Sequence, residues 1–300
     1  MKHIIESQQF DRESISKLFE LASSLEGKNS DCLRGKIMAS LFYEPSTRTR
    51  FSFESAMLRL GGNIITTENA KEFSSVSKGE ALEDTIRTIN KYVDVIVLRH
   101  HEEGSLKRAS LVSDIPIINA GDGSGQHPTQ ALLDLYTIER ELGRIDGVSI
   151  AMVGDLKHGR TIHSLSYLLG KYRDIRIYFV SPEQLRVGEN VKDYLRRHSV
   201  KYEETMSLHT IISKVDIVYQ TRIQKERFTS LEEYEKHRGY CKIDLEMSKA
   251  MKDGSIIMHP LPRVDEISPE VDSSPKAAYF KQVHYGLLIR MALLKTVLED

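Results

Sequence analysis

The chain has little cysteine, no tryptophan and no excess of either charge. Its 300 residues include only two cysteines, Cys32 and Cys241, which cannot form a disulfide framework and favour a reducing, cytoplasmic setting. Its 42 basic and 43 acidic residues give a net charge of −1. This balance argues against a general binder of nucleic acid or of membrane surfaces, because such proteins need a broad basic field. Any positive charge that matters for function must therefore be local.

Long apolar runs are also missing. The first ten residues lack the apolar core of a signal peptide, and the best candidate for a membrane span, Leu287–Leu294, is short and contains Arg290. No group of Cys and His residues has the spacing of metal ligands, so we expect neither a metal nor a membrane partner. The length and the 40% hydrophobic content suit two domains of ordinary size.

Short apolar runs rich in β-branched residues alternate with stretches of helical periodicity. This alternation is typical of βαβ units, so we predict an α/β protein with two doubly wound parallel-sheet domains joined by helices. The predicted strands are 36–43, 63–66, 93–98, 115–119, 148–153, 176–180, 217–220 and 255–258.

The predicted domain boundary lies in a helix over 130–142, between the glycine-rich turn Gly121–Gly125 and a new strand. We assign residues 1–130 to a first domain and 131–284 to a second, with a last helix at about 285–300 packing back on the first. A coarse duplication relates the two halves. In each half Arg-Thr opens a helix after a strand, at Arg48-Thr49 and again at Arg160-Thr161.

The segment Ser46-Thr-Arg-Thr-Arg50 lies where a predicted strand turns into a helix over 51–60, which ends at Gly61-Gly62. The unbonded N–H groups and the positive end of the helix dipole attract an anion at such a position. Three hydroxyls and two guanidiniums strengthen that attraction and indicate a phosphate or carboxylate site. The alternative is an ordinary helix cap with solvated arginines, because Ser and Thr are common capping residues.

Polar and basic side chains follow most of the other predicted strands. In open α/β sheets the ligand lies beyond the carboxyl ends of the strands, near a reversal of strand order. One arginine at a strand end is usually solvated, but a set of them indicates one anionic-ligand site built from many loops. The residues concerned are Arg99-His100, Gln126–Gln130, Arg160, Arg222 with Gln224, and His259–Arg263.

Gly154–Thr161 nearly matches the phosphate-loop pattern G-x-x-x-x-G-K-[ST], but Arg160 replaces the lysine. Arginine is a poor substitute for that compact charge, and it suits a bidentate carboxylate clamp better. Gly121–Gly125 lacks the dinucleotide spacing and is interpreted as a turn that presents His127 and Gln130. A neutral His127 could donate to a carbonyl oxygen. His100, His158, His163 and His259 are interpreted as structural residues.

The polar stretch Phe73–Glu80 is rich in small residues and lies between helical patterns. It predicts either an exposed loop or a mobile lid that delivers Ser74 and Lys78. The sequence alone favours the loop.

Together these motifs resemble the transcarbamoylase family, and the resemblance covers essentially the whole chain. Residues 46–50 resemble its carbamoyl-phosphate motif, and His127-Pro-Thr-Gln130 resembles its H-P-x-Q motif. Ser77-Lys-Gly-Glu80 and His259-Pro-Leu-Pro-Arg263 are similar to versions found in the aspartate branch of the family. The ornithine branch typically has Cys where Pro260 stands and a Ser-Met-Gly element in its second domain, and this chain has neither.

The resemblance implies a site in the cleft between the two domains. It implies that the phosphate of carbamoyl phosphate is held by Ser46, Thr47, Arg48 and Thr49, and that the carbamoyl oxygen is polarised by Thr49, Arg99 and His127. The carbamoyl NH2 would be held by Gln130 and the carbonyls of Leu261 and Pro262, and the two aspartate carboxylates by Arg160, Arg222 and Gln224. A neighbouring subunit would contribute Ser74 and Lys78.

The implied reaction transfers the carbamoyl group of carbamoyl phosphate to the α-amine of L-aspartate, an early step of pyrimidine biosynthesis. Arg48, Thr49, Lys78, Arg99 and His127 would be its catalytic residues. The resemblance implies a cytoplasmic homotrimer with shared active sites and no cofactor, and leaves open whether regulatory chains join it. Five cations would compensate the negative charge of the two anionic substrates, namely Arg48, Lys78, Arg99, Arg160 and Arg222. The alternatives are a transcarbamoylase for another amino acid such as ornithine, and an anion-binding protein without catalysis.

Overall fold

Two parallel sheets organise the chain. The computed structural model describes residues 2–28, 30–68, 79–223, 230–237 and 239–299. The chain divides into unit 1, residues 1–133 and 284–300, and unit 2, residues 134–283. The domain boundaries predicted from the sequence lie between residues 130 and 131 and between residues 284 and 285. In the part of the chain that is described, no helix is both long and apolar enough to cross a bilayer.

Unit 1 is a four-stranded sheet covered by helices, and its strand order is β2-β1-β3-β4, all parallel. One of its apolar clusters packs α3 and α4 against β1 and β3 through residues such as Ile86, Leu106 and Ile96. The edge of β4 is extended by Ile4, which pairs with Ile118 in parallel. The elements are α1 (Arg12–Ser24), β1 (Ile37–Phe42), α2 (Thr47–Arg59), β2 (Asn63–Glu68), α3 (Leu82–Ile89), β3 (Val95–His100), α4 (Ser105–Val112) and β4 (Ile117–Asp122), followed by α5 (Pro128–Leu142), which continues into unit 2.

Unit 2 is a five-stranded parallel sheet with the order β7-β6-β5-β8-β9. Its core includes Val153, Val218 and Ile257 from three neighbouring strands. The elements are β5 (Ser149–Val153), α6 (Arg160–Leu169), β6 (Arg176–Val180), α7 (Glu189–Arg197), β7 (Lys201–Thr205), β8 (Ile217–Gln220), α8 (Leu231–His237), α9 (Leu245–Ala250), β9 (Ile256–Met258) and α10 (Tyr279–Glu299), whose later turns belong to unit 1.

The prediction of an α/β fold with two parallel sheets is confirmed, and eight strands lie where the sequence indicated them within a few residues. The ninth, β7, was missed. Its sequence K-Y-E-E-T shows no apolar run, because it is a charged edge strand that pairs only with β6. The face of α2 that carries Phe51, Ser55 and Leu58 is its outer one. Phe51 and Leu58 are 55% and 61% exposed, while α2 buries Phe53, Ala56 and Met57 instead.

The two sheets share one local device, which we call the carboxylate clasp. In unit 1 the Asp94 carboxylate accepts a hydrogen bond from Ile37 N at 2.8 Å, and Asp94 N donates to Ile37 O at 2.8 Å. In unit 2 Asp216 and Ser149 repeat this exchange at 2.7 and 2.8 Å. Burial alone would raise the pKa of Asp216, but hydrogen bonds from Lys252 and Ser149 hold that pKa below its ordinary value. Each clasp joins the beginnings of two adjacent central strands.

Candidate functional site

In each unit the strand order reverses at one point, between β1 and β3 in unit 1 and between β5 and β8 in unit 2. Parallel sheets bind their ligands at the carboxyl ends of strands beside such a point. In unit 1 these ends lead to Ser46–Thr49 and to Arg99. In unit 2 they lead to the Arg160 loop and to Arg222. The structure thus places these residues of each unit at the expected edge of its sheet.

The amino-terminus of α2 forms the first part of the site in unit 1. Ser46 is its N-cap, with extended φ of −160°, and its side chain makes no capping hydrogen bond. No acidic residue lies in the first turn of α2, so the positive end of the helix dipole is not offset there. Thr47 and Arg48 are exposed and Thr49 is buried. This arrangement offers hydroxyls, backbone N–H groups and a guanidinium to an anion.

Arg99 lies at the end of β3, beside the α2 turn, and is only 8% exposed. Its Nη2 lies 3.1 Å from Glu44 Oε2, and its Nη1 donates to the Ala120 carbonyl at 3.2 Å. The guanidinium is therefore held between the ends of β1 and β4. Two hydrogen bonds in a buried place fix its orientation, which is what a donor to a developing oxyanion requires.

His100 is the neighbour of Arg99 and has a structural environment. Burial lowers the pKa of His100 to about 4, so the ring is neutral at pH 7. Its Nδ1 accepts a hydrogen bond from Glu102 N at 3.1 Å and lies 2.8 Å from Ser105 Oγ. These contacts anchor the loop between β3 and α4.

His127 and Gln130 lie at the beginning of α5. The His127 carbonyl accepts hydrogen bonds from Gln130 N at 3.0 Å and Ala131 N at 3.2 Å, and Pro128 occupies the first helical position. Proline is favoured there because its missing N–H would have no helical partner. The His127 and Gln130 side chains are 4% and 8% exposed. Their three-residue spacing places them on neighbouring positions of one helix face.

In unit 2 the loop from β5 to α6 folds around Asp155, which is fully buried. The Asp155 carboxylate accepts a hydrogen bond from His158 N at 3.0 Å and lies 3.2 Å from His158 Nδ1. Arg160 follows as the first residue of α6 and is half-buried. Asp155 belongs to the segment that resembles a phosphate loop. Because its hydrogen bonds hold that loop in one conformation, they also set the direction in which α6 begins.

Gly154, at the start of this loop, allows close contact with the end of β8. Its φ is +117°, and a Cβ there would overlap the Thr221 carbonyl oxygen and lie 2.7 Å from Thr221 Oγ1. Thr221 is held in turn by hydrogen bonds from its N and its Oγ1 to the Val153 carbonyl at 2.8 and 2.9 Å. Arg222 is the next residue and lines a small cleft with Tyr234, Tyr240 and Glu266.

The segment after β9 carries Leu261 and Pro262, which are joined by a cis peptide bond. Its conformation is set by His259, whose Nδ1 accepts from Leu261 N at 2.8 Å and whose Nε2 donates to Glu266 Oε1 at 2.7 Å. Burial alone would raise the pKa of Glu266, but the hydrogen bond from His259 and those from the backbone amides hold it below its ordinary value. Arg263 is directed to another partner. It forms a two-point ion pair with Asp272 and lies over the Tyr279 ring at 5.3 Å.

Three predicted site residues, Ser74, Lys78 and Gln224, lie outside the described residues. The sequence analysis missed the carboxylates that organise the loops: Glu44, Asp155 and Glu266. Asp155 could have been found from its position directly after a strand and a glycine. Glu44 and Glu266 gave no signal, because their partners are recognisable only in the folded chain. In the described residues no group of His, Cys, Asp or Glu could hold a metal ion.

Models of two protein-family domains match consecutive parts of the chain. Residues 2–140 match the aspartate/ornithine carbamoyltransferase, carbamoyl-P binding domain, and residues 146–297 match the Asp/Orn binding domain of the same family. The chain belongs to the aspartate/ornithine carbamoyltransferase family. The resemblance inferred from four motifs is therefore confirmed, and the family's two domain descriptions follow the order in which those motifs occur.

Individual relatives lie within the aspartate branch of the family. The chain is 56% identical over 301 residues to aspartate carbamoyltransferase 1, chloroplastic, of Pisum sativum, covering 98% of this chain and 78% of that protein. It is 53% identical over 305 residues to the aspartate carbamoyltransferase catalytic subunit of Methanocaldococcus jannaschii, covering 100% and 99%. A crystal structure of aspartate transcarbamoylase from Trypanosoma cruzi in complex with carbamoyl phosphate and aspartate has a TM-score of 0.94 and 43% identity, covering 99% and 97%.

Proposed function

We propose that this chain is the catalytic chain of an aspartate carbamoyltransferase, which converts carbamoyl phosphate and L-aspartate to N-carbamoyl-L-aspartate and phosphate. The observation that carries the proposal is the placement of cations at the carboxyl ends of strands in both units. Arg48 and Arg99 lie there in unit 1, and Arg160 and Arg222 in unit 2. Two anionic substrates need such compensation when they leave water.

The engagement of two loop carboxylates in unit 2, Asp155 and Glu266, favours aspartate over ornithine. The ammonium group of an ornithine side chain would need an acidic partner. Asp155 is engaged by His158, and Glu266 is engaged by His259 and by the amides of Val264 and Asp265 at 3.0 and 3.1 Å. Both carboxylates therefore serve their own loops, whereas Arg160 and Arg222 suit the two carboxylates of aspartate.

In the proposed mechanism the aspartate α-amine attacks the carbamoyl carbon. Thr49, Arg99 and His127 stabilise the oxyanion that develops, and one donor of this kind contributes about 3–4 kcal/mol. Gln130 and the carbonyls of Leu261 and Pro262 orient the carbamoyl NH2. The phosphate leaves towards the N-terminus of α2, held by Ser46, Thr47, Arg48 and Thr49, and takes the amine proton. Orientation of the two bound anions supplies much of the remaining acceleration.

The proposal includes a homotrimer in which Ser74 and Lys78 of a neighbouring subunit complete each site. Support comes from apolar side chains on the outer face of α2 and on the edge strand β2, where Phe51, Leu58 and Ile65 are more than half exposed. Contiguous exposed apolar surface commonly marks an interface between proteins. Sedimentation of the purified protein tests this, since a monomer at micromolar concentration would contradict it. A second polypeptide that copurifies with the trimer would identify regulatory chains.

We place the reaction early in pyrimidine biosynthesis and in the cytoplasm. The chemistry supports the pathway, because N-carbamoyl-L-aspartate carries the atoms that a pyrimidine ring closure needs. The two cysteines, with Cys32 exposed, suit a reducing compartment. Pyrimidine auxotrophy after deletion of the gene tests the pathway, and cell fractionation tests the compartment.

The decisive experiment measures carbamoylated product from carbamoyl phosphate with L-aspartate and L-ornithine in separate reactions. Turnover with aspartate alone is the expected result. Turnover with ornithine would replace the proposed acceptor while keeping the phosphate site. Turnover with neither, in a preparation that is shown to be trimeric, would overturn the proposal and favour an anion-binding protein.

A further inference from the structure

Asp134 is a fully buried carboxylate in α5 that the proposed mechanism does not use. Its Oδ2 accepts a hydrogen bond from the Tyr219 hydroxyl at 2.6 Å, and its Oδ1 accepts one from Gln282 Nε2 at 2.6 Å. Tyr219 is fully buried and Gln282 is 2% exposed. Burial raises the pKa of Tyr219 well above its ordinary value, so the phenol keeps the proton that it donates. Asp134 therefore joins β8 to α10 inside unit 2.

The first arm of this arrangement reaches the aspartate-binding edge. Tyr219 lies in β8, three residues before Arg222, and is paired in register with Met152 of β5. The hydrogen bond to Asp134 fixes the position of β8 along the strand direction, in addition to the backbone hydrogen bonds that pair β8 with its neighbouring strands. A displacement of β8 would move Arg222, because only Gln220 and Thr221 separate it from Tyr219.

The second arm reaches the segment that holds the carbamoyl NH2. Gln282 Oε1 accepts a hydrogen bond from His259 N at 3.0 Å. A backbone N–H can only donate, so it must face the amide oxygen of Gln282, and the NH2 of Gln282 is left for Asp134. His259 in turn accepts from Leu261 N at 2.8 Å. The chain of bonds from Asp134 to Leu261 thus has one consistent direction.

We propose that Asp134 and Gln282 are positioning residues for the transfer reaction, because one buried carboxylate fixes both the end of β8 before Arg222 and the His259–Leu261 segment. The inference rests on the function proposed above. Replacing a buried charge by well-packed apolar groups is often neutral or stabilising, so stability alone is a weak reason for a carboxylate here. A fully satisfied polar network, in contrast, selects one arrangement of the segments that it joins.

The donor and acceptor pattern suggests an exchange experiment. Asp134→Asn places an NH2 against the NH2 of Gln282. If Gln282 turns around, its NH2 faces His259 N, which is also a donor. If the new amide turns around, its NH2 faces the Tyr219 hydroxyl, which must then accept and can no longer donate to position 134. Gln282→Glu places a second carboxylate beside Asp134. The double variant Asp134→Asn/Gln282→Glu restores each of the bonds described above. The carboxylate introduced at position 282 accepts from His259 N and from the amide NH2 introduced at position 134, and the oxygen of that amide accepts from Tyr219. The double variant also keeps the number of buried carboxylates.

We expect each single variant of the trimeric enzyme to lower kcat by roughly 10- to 100-fold, the loss typical of reacting groups misplaced by about 1 Å. The double variant should recover to within about threefold of the unchanged protein. Binding of inorganic phosphate should stay unchanged in all three variants, because its proposed contacts are in unit 1. Tyr219→Phe removes only the first arm and should mainly raise the KM for aspartate. Lys281→Ala is the matched control, since its side chain pairs with Glu141 at the surface.

All rates are measured well below the unfolding temperature of each variant. The inference is overturned if Asp134→Asn keeps a normal kcat and aspartate KM, if the double variant is no faster than the single ones, or if phosphate affinity falls in parallel with kcat. The last result would mean a general loosening of the fold. If the unchanged trimer showed no turnover, that result would instead overturn the proposed function, and the inference that rests on it would be overturned as well.

Discussion

His259 donates from Nε2 to Oε1 of Glu266 over 2.7 Å, and both side chains are almost completely buried. The other oxygen of Glu266 accepts from two backbone amides of the same segment. One carboxylate therefore closes the segment that presents Leu261 and Pro262, and the position of two proposed substrate contacts depends on its charge.

We expect Glu266→Gln to lower the free energy of unfolding at pH 7 by roughly 1.5–3 kcal/mol, the usual worth of a hydrogen bond to a charged group. The pKa of Glu266 is held below its ordinary value in the folded protein. Its contribution is therefore fully present above the unfolded pKa of about 4.3 and is lost as the pH falls through the lower folded pKa. The stability gap between the two proteins should narrow in urea titrations from pH 5 towards pH 3. Glu270→Gln is the control, because Glu270 is exposed, and a gap that does not depend on pH would contradict the argument.

Gly154→Ala should damage both stability and the use of aspartate. The positive φ and the overlap with the Thr221 carbonyl together cost about 3 kcal/mol, and relief of the overlap would move Arg222. Gly254→Ala separates the two causes, since Gly254 has a φ of +71° with no atom within 4 Å of the added Cβ. That control should lose roughly 1–2 kcal/mol and keep the KM for aspartate. Thermal unfolding and steady-state kinetics check both variants, and equal losses in the two would refute the role of the close contact.

Arg48→Ala should lower turnover at least about 100-fold and weaken carbamoyl phosphate binding at the same time. Arg48 lies at the positive end of α2, where the leaving phosphate is proposed to sit. Arg59→Ala removes the same charge at the other end of α2, where Arg59 contacts Ser55 at 3.4 Å, and should leave the kinetics unchanged. Calorimetric titration with carbamoyl phosphate measures the affinity. Near-normal rates for Arg48→Ala would show that the phosphate assignment is wrong.

Arg222→Ala should raise the KM for aspartate strongly and leave carbamoyl phosphate binding almost unchanged. Arg263→Ala is the comparison, because Arg263 belongs to a recognisable motif yet is bound to Asp272 and stacked on Tyr279. We expect it to cost about 2 kcal/mol of stability with little effect on KM. Initial rates at varied aspartate distinguish the two. An aspartate dependence that Arg222→Ala does not alter would remove Arg222 from the site.

Local pattern was enough to predict most of the fold. The strands β1 and β5 are apolar runs that are buried on both faces, and such runs need no partner to be recognised. The charged edge strand β7 was not found, because it has one neighbour and little burial. The pattern of α2 does not show which of its faces is buried, since Phe51 and Leu58 are apolar and yet exposed.

The candidate site was likewise only partly predictable from the sequence. Arg48, Arg99, Arg160 and Arg222 were predicted because each follows a strand, and the carboxyl ends of parallel strands share one edge. The carboxylates that hold these loops were missed. Asp134 and Tyr219 are 85 residues apart in sequence, and no local pattern reports their 2.6 Å contact. Sequence therefore indicated the groups that we propose contact the substrates, and the structure was needed to find what holds them.

The carboxylate clasps at Asp94 and Asp216 lie where the central strands begin, and the proposed site residues lie at the opposite edge of each sheet, where the strands end. Where the strands begin, backbone N–H groups donate to a side-chain carboxyl of the protein itself. Where they end, backbone donors and cations lie at the edge that we propose binds the anionic substrates. Substitutions where the strands begin should therefore mainly alter the stability of the fold, and substitutions where the strands end should mainly alter the rate of the reaction.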